Sequence, residues 1–197
     1  MRYSSFHIRN FKGIADARID FDREPEINIF TLVGLNESGK TTVLEAINFF
    51  SQENFPSAHM HIPKSKKHNF NEAISIAATL HLSDEDEIEL ANYLRDNREL
   101  EVKEPLRSMT IEKRHAFENS IARDTTSIWQ GQLTVATKKK AKEKIIDLRS
   151  EEAVDIRSFL ARRLPVIVYY PNFLFDIPEK IYLQDAPPSA ETPAPAK

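Results

Sequence analysis

A run of eight residues near the N-terminus carries the clearest chemistry of this sequence. Residues 34–41 read Gly-Leu-Asn-Glu-Ser-Gly-Lys-Thr, the G-x-x-x-x-G-K-T spacing of a loop that holds phosphate groups. Gly34 and Gly39 permit tight backbone geometry, so that successive N–H groups can point into one anion-binding concavity. This pattern predicts that Lys40 contacts the β- and γ-phosphates of a nucleotide and that the Thr41 hydroxyl binds Mg²⁺.

The segments on either side of the loop have the character that the motif requires. Residues 27–33 are short, apolar and rich in β-branched and aromatic side chains, which predicts a buried strand. Residues 41–50 lack Gly and Pro and place Leu44, Ile47 and Phe50 at helical spacing. The start of that helix directs free N–H groups and the positive end of its dipole at the phosphates. The alternative, a glycine-rich turn with an exposed lysine, leaves the Gly-Lys-Thr-Thr run without a reason.

The composition is that of one folded domain with no strong charge. The chain has 197 residues, of which 41% are hydrophobic and 29% charged, enough for one core. A net charge of -3 argues against a uniformly basic nucleic-acid surface but allows a local basic patch. The absence of cysteine excludes disulfides and thiolate chemistry. No apolar run approaches the roughly 20 residues that span a bilayer, and residues 1–9 contain no signal-peptide core, so we expect a cytoplasmic protein without membrane contact.

Alternation of apolar and polar residues predicts further strands. These lie at residues 3–8, with Phe6 and Ile8 on one face, around residues 17–21, and at residues 73–82. Two more are expected at 106–117 and 126–135, antiparallel around a polar turn at 118–120. Trp129 in the last of these could stack on a nucleic-acid base, but packing against the strand face is favoured.

Two helices are expected in the second half of the chain. Ser83 is a good N-cap for a helix that ends near Asn97 and buries Ile88, Ala91 and Leu94. The acids that follow Ser83 resemble a Mg²⁺-binding strand end, but the preceding strand alternates, so helix capping is favoured. The other helix, capped by Ser150, covers residues 151–164 and ends at Pro165.

Residues 166–170, Val-Ile-Val-Tyr-Tyr, then predict a strong buried strand. A short strand is expected at 180–183, and the Pro/Ala-rich residues 185–197 are expected to be disordered.

Two polar stretches can be interpreted either as solvent-exposed connections or as functional sites. Residues 51–72 contain two prolines and the pair His59 and His61, without a carboxylate at metal-ligand spacing, so a solvated irregular insertion is favoured over a metal site. The lysine-rich run at 138–144 could contact nucleic-acid phosphates, but a solvated segment leading into the helix is favoured.

Two runs in the first 50 residues carry a family resemblance. Asn-Phe-Lys-Gly at 10–13 lies before the second strand, and Asn-Glu-Ser-Gly-Lys-Thr at 36–41 forms the loop. Together they resemble the N-terminal lobe of ABC-type ATPases of DNA repair and chromosome maintenance. Within that group they look most like the AAA15/AAA23-type ATPase domains of the overcoming-lysogenization-defect (OLD) family of ATP-dependent endonucleases. The resemblance implies an α/β fold in which residues 1–184 form the P-loop N-terminal lobe. The sheet of this lobe would be mixed, with antiparallel strands packed around the helix that follows the loop.

The resemblance also implies roles for individual residues and two cofactors, ATP and Mg²⁺. Asn36 would approach the γ-phosphate or the attacking water, and Arg9 or Lys12 would contact the nucleotide from the side. Glu37 replaces a small residue, and its carboxylate is expected to turn away from the phosphates. The remaining nucleotide ligands implied are Gly34, Ser38, Gly39, Lys40, Thr41 and Thr42, with Thr41 also on Mg²⁺.

Other parts of such an ATPase are not found in the sequence. It contains no apolar strand ending in Asp-Glu, no Leu-Ser-Gly-Gly-like signature and no acidic cluster for a nuclease, and neither Gln130 nor Gln132 is fixed as a γ-phosphate sensor. We therefore expect an incomplete ATPase head that hydrolyses ATP only with a further half. Its partners would be a second copy or a C-terminal ATPase/nuclease half, with DNA bound through the complete assembly. The alternatives are a small P-loop kinase or GTPase, and a non-catalytic nucleotide-binding scaffold.

Overall fold

The computed structural model describes residues 1–22, 29–52, 58–137 and 140–170. These ranges form two antiparallel sheets and three helices. The strands are β1 Arg2–Phe11, β2 Ile14–Asp20, β3 Ala73–His81, β4 Leu100–Glu104, β5 Ser108–Glu118, β6 Ile121–Gln130, β7 Gln132–Thr137 and β8 Lys140–Asp147. The helices are α1 Lys40–Ser51, α2 Asp84–Arg98 and α3 Val154–Ala161, and short 3₁₀ turns occur at Ala58–His61, Lys64–Lys66 and Glu151–Ala153.

The larger sheet has the strand order β2-β1-β3-β5-β6, and the smaller has the order β4-β7-β8. All six strand pairings within the described ranges are antiparallel. The predicted α/β class and the antiparallel strands are thus confirmed, whereas the parallel pairs of a mixed sheet do not occur among these residues.

Helix α1 covers one face of the larger sheet. Phe6 and Ile8 of β1 are buried on this face, and the Phe6 ring lies 5.7 Å from the ring of Phe50. The helix buries Ala46, Phe49 and Phe50 and leaves Leu44 46% exposed. The buried side of α1 therefore differs from the predicted side of Leu44, Ile47 and Phe50, because the sheet contacts the side that carries Phe49 and Phe50.

The opposite face of the same sheet is polar and has no helix over it within the described ranges. Because side chains alternate along a strand, Arg9 points away from the face that buries Ile8. The register places Arg9 opposite Ser75 of β3, and Ser75 opposite Arg114 of β5.

Helix α2 starts with the predicted cap. The Ser83 hydroxyl accepts a hydrogen bond from the Asp86 N–H, and the Asp86 carboxylate accepts one from the Ser83 N–H, which forms a capping box. These contacts confirm the capping interpretation of the acidic run. The helix buries Leu90 and Leu94 while Ile88 is 60% exposed, so the predicted buried face is only partly right.

Helix α3 packs against α2 and is shorter than predicted. The Tyr93 and Phe159 rings stack with centroids 4.6 Å apart, and Arg98 donates to Asp155 at 2.9 Å. Residues 151–153 form a 3₁₀ turn, and the Ser150 hydroxyl donates to the Asp147 carbonyl and does not cap the helix.

Two apolar runs differ from the prediction of buried strands. Residues 29–33 and 166–170 have no regular secondary structure. Ile29 and Val33 are 83% and 89% exposed, and Val166 is 86% exposed. The apolar pattern makes both runs suited to a sheet interior, but a strand also needs neighbours that accept its backbone hydrogen bonds. Within the described ranges, the strands pair with one another and not with these runs. Residues 27 and 28 of the first predicted strand lie outside the described ranges.

The region predicted as one strand at 126–135 is two strands in different sheets. The two strands are separated by Gly131. A Cβ added to this glycine would lie 2.8 Å from Cδ1 of Leu106 and 3.0 Å from Cδ1 of Leu148. Trp129 packs against the core, as predicted. Residues 140–147 form strand β8, which was not predicted, while Glu143 and Lys144 are exposed, as expected for a solvated segment.

The remaining predicted elements are confirmed within one to three residues at most ends, including the turn at 119–120 between β5 and β6. Strand β4 was not predicted. The strand expected at 180–183 and the tail at 185–197 lie outside the described residues, as do residues 138 and 139. None of the described helices is long and apolar enough to cross a membrane.

Candidate functional site

The glycines of the loop occupy positions where a side chain would be unfavourable. Gly39 has a φ of 91°, a left-handed conformation that glycine adopts without strain, and it precedes the first residue of α1. A Cβ on Gly34 would lie 2.6 Å from the Ser38 hydroxyl oxygen. Asn36 and Glu37 form an exposed turn between these glycines, so the Glu37 carboxylate faces solvent.

The Lys40 side chain folds back onto the loop and forms hydrogen bonds with it. Its ammonium group donates to the carbonyl oxygens of Gly34 at 2.7 Å and Leu35 at 2.6 Å, and to the Ser38 hydroxyl at 3.3 Å. No carboxylate of the described residues forms an ion pair with Lys40. An incoming phosphate therefore competes with neutral oxygens for this ammonium, and a charge-assisted bond to phosphate is the stronger of the two.

The first turn of α1 leaves its backbone amides open. The first bond within the helix runs from the Val43 N–H to the Gly39 carbonyl at 3.0 Å. The amides of Lys40, Thr41 and Thr42 precede it and are the free donors of the helix start. With the dipole they favour a negatively charged ligand at this end.

A cavity of about 790 Å³ lies beside the helix start. Thr41, Thr42 and Glu45 of α1 form one wall of it. The end of the β1–β2 hairpin and the segment 60–66 form the others, with Lys12, Gly13, Ile14, Met60, Ile62 and Lys64 among the lining residues. The volume lies in the range of small-molecule sites, and the lining combines apolar side chains with cations.

Lys12 belongs to this cavity, whereas Arg9 does not. The Lys12 ammonium pairs with the Glu45 carboxylate at 2.7 Å, and the Lys12 N–H donates to the His61 carbonyl at 2.7 Å. Arg9, on the opposite face of the sheet, pairs with Glu112 at 3.2 Å. The structure thus places one of the two cations next to Thr41 and separates the other from it.

The segment that forms the outer wall is held in place by His61. Its ring stacks on Phe11 at 4.8 Å and lies 4.5 Å from the ring of Phe49, which also lies 4.9 Å from the ring of His115. Burial and the Lys12 charge lower the pKa of His61, and burial followed by the Lys113 charge lowers the pKa of His115 to about 4. Both rings are therefore neutral near pH 7.

The stretch 51–72, predicted to be a solvated irregular insertion, is exposed at residues 64–69 but packs on the domain on either side of them. Ile62 is buried and Phe70 is fully buried. These apolar residues were the signal in the sequence that the segment packs on the domain. No group of three potential metal-ligating side chains occurs among the described residues.

The comparison with protein families agrees with this geometry. A family model described as AAA ATPase domain matches residues 1–187. This chain belongs to the AAA ATPase domain family. No curated protein gives a significant match.

Membership in the AAA ATPase domain family confirms the coarser part of the resemblance, an AAA/ABC-type ATPase domain, and with it nucleotide binding. The two glutamines considered as γ-phosphate sensors in this AAA ATPase domain, Gln130 and Gln132, do not line the cavity beside the loop. Gln132 donates to the Asp147 carboxylate at 3.2 Å, and Gln130 and Gln132 line a cavity of about 490 Å³ together with Arg107 and Arg149.

Proposed function

We propose that this AAA ATPase domain binds Mg·ATP with its phosphates in the loop 34–42. The observation that carries the proposal is the position of Lys40, which bridges the two arms of the loop at the start of α1. The open amides of the first turn and the adjoining cavity of about 790 Å³ support it.

The residues of the loop fit a magnesium-bound triphosphate. Bound Mg²⁺ would neutralise phosphate charge, and the Thr41 hydroxyl at the helix start would hold it. Lys40 and the Gly39 amide would bind phosphate oxygens, with Thr42 beside them. The Ser38 amide, which donates to the Leu35 carbonyl at 3.2 Å, would exchange that bond for a phosphate oxygen. Gly34 admits the close approach of the chain, and the exposed turn of Asn36 and Glu37 would face the terminal phosphate. Lys12 would contact the nucleotide from the cavity wall.

Hydrolysis, in this proposal, needs a further polypeptide segment, in the same or another chain. The exposed apolar runs at 29–33 and 166–170 support this. In the second run Val166, Val168 and Tyr170 are exposed, while Ile167 packs against the core. A run with apolar residues on both faces is typical of a strand covered on both sides. The added segment would pair with these runs and supply the carboxylates that bind Mg²⁺ and activate water. The OLD likeness further suggests a role in DNA processing, repair or phage defence.

Calorimetric titration with Mg·ATP and Mg·GTP tests nucleotide binding. We expect ATP to bind, and Lys40→Ala to weaken binding at least about tenfold, because a hydrogen bond to a charged group contributes roughly 1.5–3 kcal/mol. Lys103→Ala, which removes an exposed lysine of β4, is the matched control and should bind as wild type. Equal ATP affinity of wild type and Lys40→Ala would refute the proposal.

Turnover measurements distinguish the alternatives. For an ATPase head, we expect negligible ATP hydrolysis by this chain alone and measurable hydrolysis when a complementary half is added. Strong hydrolysis or phosphate transfer by the chain alone, abolished by Lys40→Ala, would identify a self-sufficient P-loop enzyme. Binding without turnover in any combination would identify a scaffold.

A further inference from the structure

A third cavity lies on the polar face of the larger sheet, opposite helix α1. Its volume is about 370 Å³. It is lined by Arg9 and Asn10 of β1, Ala73 and Ser75 of β3, and Glu112 and Arg114 of β5. Asn10 lines both this cavity and the one beside the loop, so the end of the β1–β2 hairpin separates the two.

The sheet register gives this cavity its shape. Arg9, Ser75 and Arg114 form one cross-strand row, with the serine between the two arginines. Neighbouring strands are about 4.8 Å apart, so the two arginine backbones lie about 10 Å from each other. The small side chains of Ala73 and Ser75 leave the space between the guanidinium groups open. We call these four residues together with Glu112 the arginine cradle.

The charges of the arginine cradle leave a positive excess. Glu112 is the only acid that lines it, and its carboxylate accepts hydrogen bonds from Arg9 at 3.2 Å and from the Ser75 hydroxyl. Arg114 is exposed and forms no ion pair with any of the described residues. Two acids flank the lining and have partners of their own. Asp16 of β2 lies opposite Arg9 in the sheet register, and its carboxylate is 2.9 Å from Nε2 of His7. Glu72 is bound by Lys66 and by Asn10. The lining therefore contains two guanidinium groups and one carboxylate, Glu112, which already accepts hydrogen bonds from Arg9 and Ser75.

We propose that the arginine cradle is a second anion site, which binds a phosphate group between Arg9 and Arg114. Each guanidinium presents a planar set of donors that matches phosphate oxygens. A tetrahedral phosphate carries oxygens on all sides, so it can accept hydrogen bonds from both guanidinium groups at once. The phosphate belongs either to a small phosphorylated compound or to the backbone of a nucleic acid. This site does not depend on nucleotide binding at the loop.

Arginine side-chain NMR signals test this site directly. Inorganic phosphate is titrated into ¹⁵N-labelled protein, and the Nε–Hε signals of Arg9 and Arg114 are followed. We expect both to shift with one apparent affinity, in wild type and equally in Lys40→Ala, whose loop site is impaired. Arg114→Gln should weaken the affinity seen at Arg9 at least about fivefold, since it removes one of two charged partners. Arg95→Gln, an exposed arginine of α2, is the matched control and should change nothing.

A second arm identifies the source of the phosphate. A short single-stranded oligonucleotide that shifts the same two signals at a lower phosphate concentration than inorganic phosphate indicates a nucleic-acid backbone. Tighter binding of inorganic phosphate indicates a small phosphorylated compound. Arg114→Lys keeps the charge but loses the planar donors, so it should bind with intermediate affinity and serves if Arg114→Gln is poorly folded. The proposal is overturned if neither probe shifts the two signals of the wild type, or if the Arg9 signal shifts with unchanged affinity in both Arg114 variants.

Discussion

The Lys12 ammonium lies 2.7 Å from the Glu45 carboxylate, and this ion pair connects the β1–β2 hairpin to helix α1 at the wall of the cavity. The two side chains are 34% and 32% exposed. An ion pair that is partly solvated contributes roughly 0–1 kcal/mol to stability. Its larger consequence is that Glu45 holds the ammonium of Lys12, one of the cations that line the cavity beside the loop.

Removal of the Glu45 charge should raise nucleotide affinity, whereas removal of the Lys12 charge should lower it. We expect Glu45→Gln to tighten Mg·ATP binding about threefold, because it frees Lys12 and removes a negative charge near the phosphates. Lys12→Gln should weaken binding about tenfold, as expected for loss of a charged contact. Glu101→Gln and Lys103→Gln break a comparable ion pair in β4 and are the controls. Titration calorimetry measures all four, and a change of the same sign for Glu45→Gln and Lys12→Gln would contradict this role of the pair.

The two histidines beside Phe49 should make the fold sensitive to acid. The pKa of His115 is about 4, lowered mainly by burial, against about 6.5 in the unfolded chain. Above pH 6.5 both states are neutral. As the pH falls from 6.5 to 4, the unfolded chain binds a proton that the folded chain does not, so the free energy of unfolding falls by up to about 3 kcal/mol. The pKa of His61 is lowered too and acts in the same direction.

Urea unfolding between pH 7.5 and pH 4.5 measures this effect. His115→Leu cannot bind the proton, so its stability should decline less steeply with falling pH than that of the wild type. At neutral pH the variant is expected to be less stable, because it also loses the hydrogen bond between His115 and Thr125. Parallel stability curves for the two proteins would show that His115 does not contribute.

Gly131 should not tolerate a methyl group, whereas Gly13 should. A Cβ at Gly131 would meet the side chains of Leu106 and Leu148, both buried, and overpacking of this kind costs about 1–3 kcal/mol. A Cβ at Gly13 has no atom within 4 Å and requires no unusual backbone angle. Urea unfolding of Gly131→Ala and Gly13→Ala compares the two, and equal stabilities would contradict the packing at the β6–β7 break.

The exposed run at 166–170 should accept polar residues without loss of stability. The double variant Val166→Thr, Val168→Thr is expected to unfold within about 0.5 kcal/mol of the wild type, since both valines are mostly exposed. It should also self-associate less, which light scattering measures. Ile156→Thr in the core of α3 is the contrast and should be clearly destabilised. A large loss of stability in the double variant would show that the run is buried.

Features that depend on neighbours in the sequence were predictable. The left-handed Gly39, the helix that starts at Lys40 and the capping box of Ser83 and Asp86 each involve residues within a few positions of one another. The alternation in β1 and β3 likewise reports which face of a strand is apolar. For these elements, backbone preference and side-chain pattern agree with the fold, and the phosphate-binding motif is of the same kind.

Tertiary structure decided which apolar residues have partners and which side chains meet. The runs at 29–33 and 166–170 have the composition of buried strands, but pairing depends on distant strands that their own residues do not specify. The placement of Arg9 and Arg114 on either side of Ser75 follows from the order of strands in the sheet. The stacking of His61 on Phe11 likewise joins residues 50 positions apart. The sequence by itself determined the glycine-flanked loop at 34–39 and helix α1 that follows it, because local geometry is sufficient for both. The cavity beside the loop and the arginine cradle arise only when the sheet brings together remote segments of the chain.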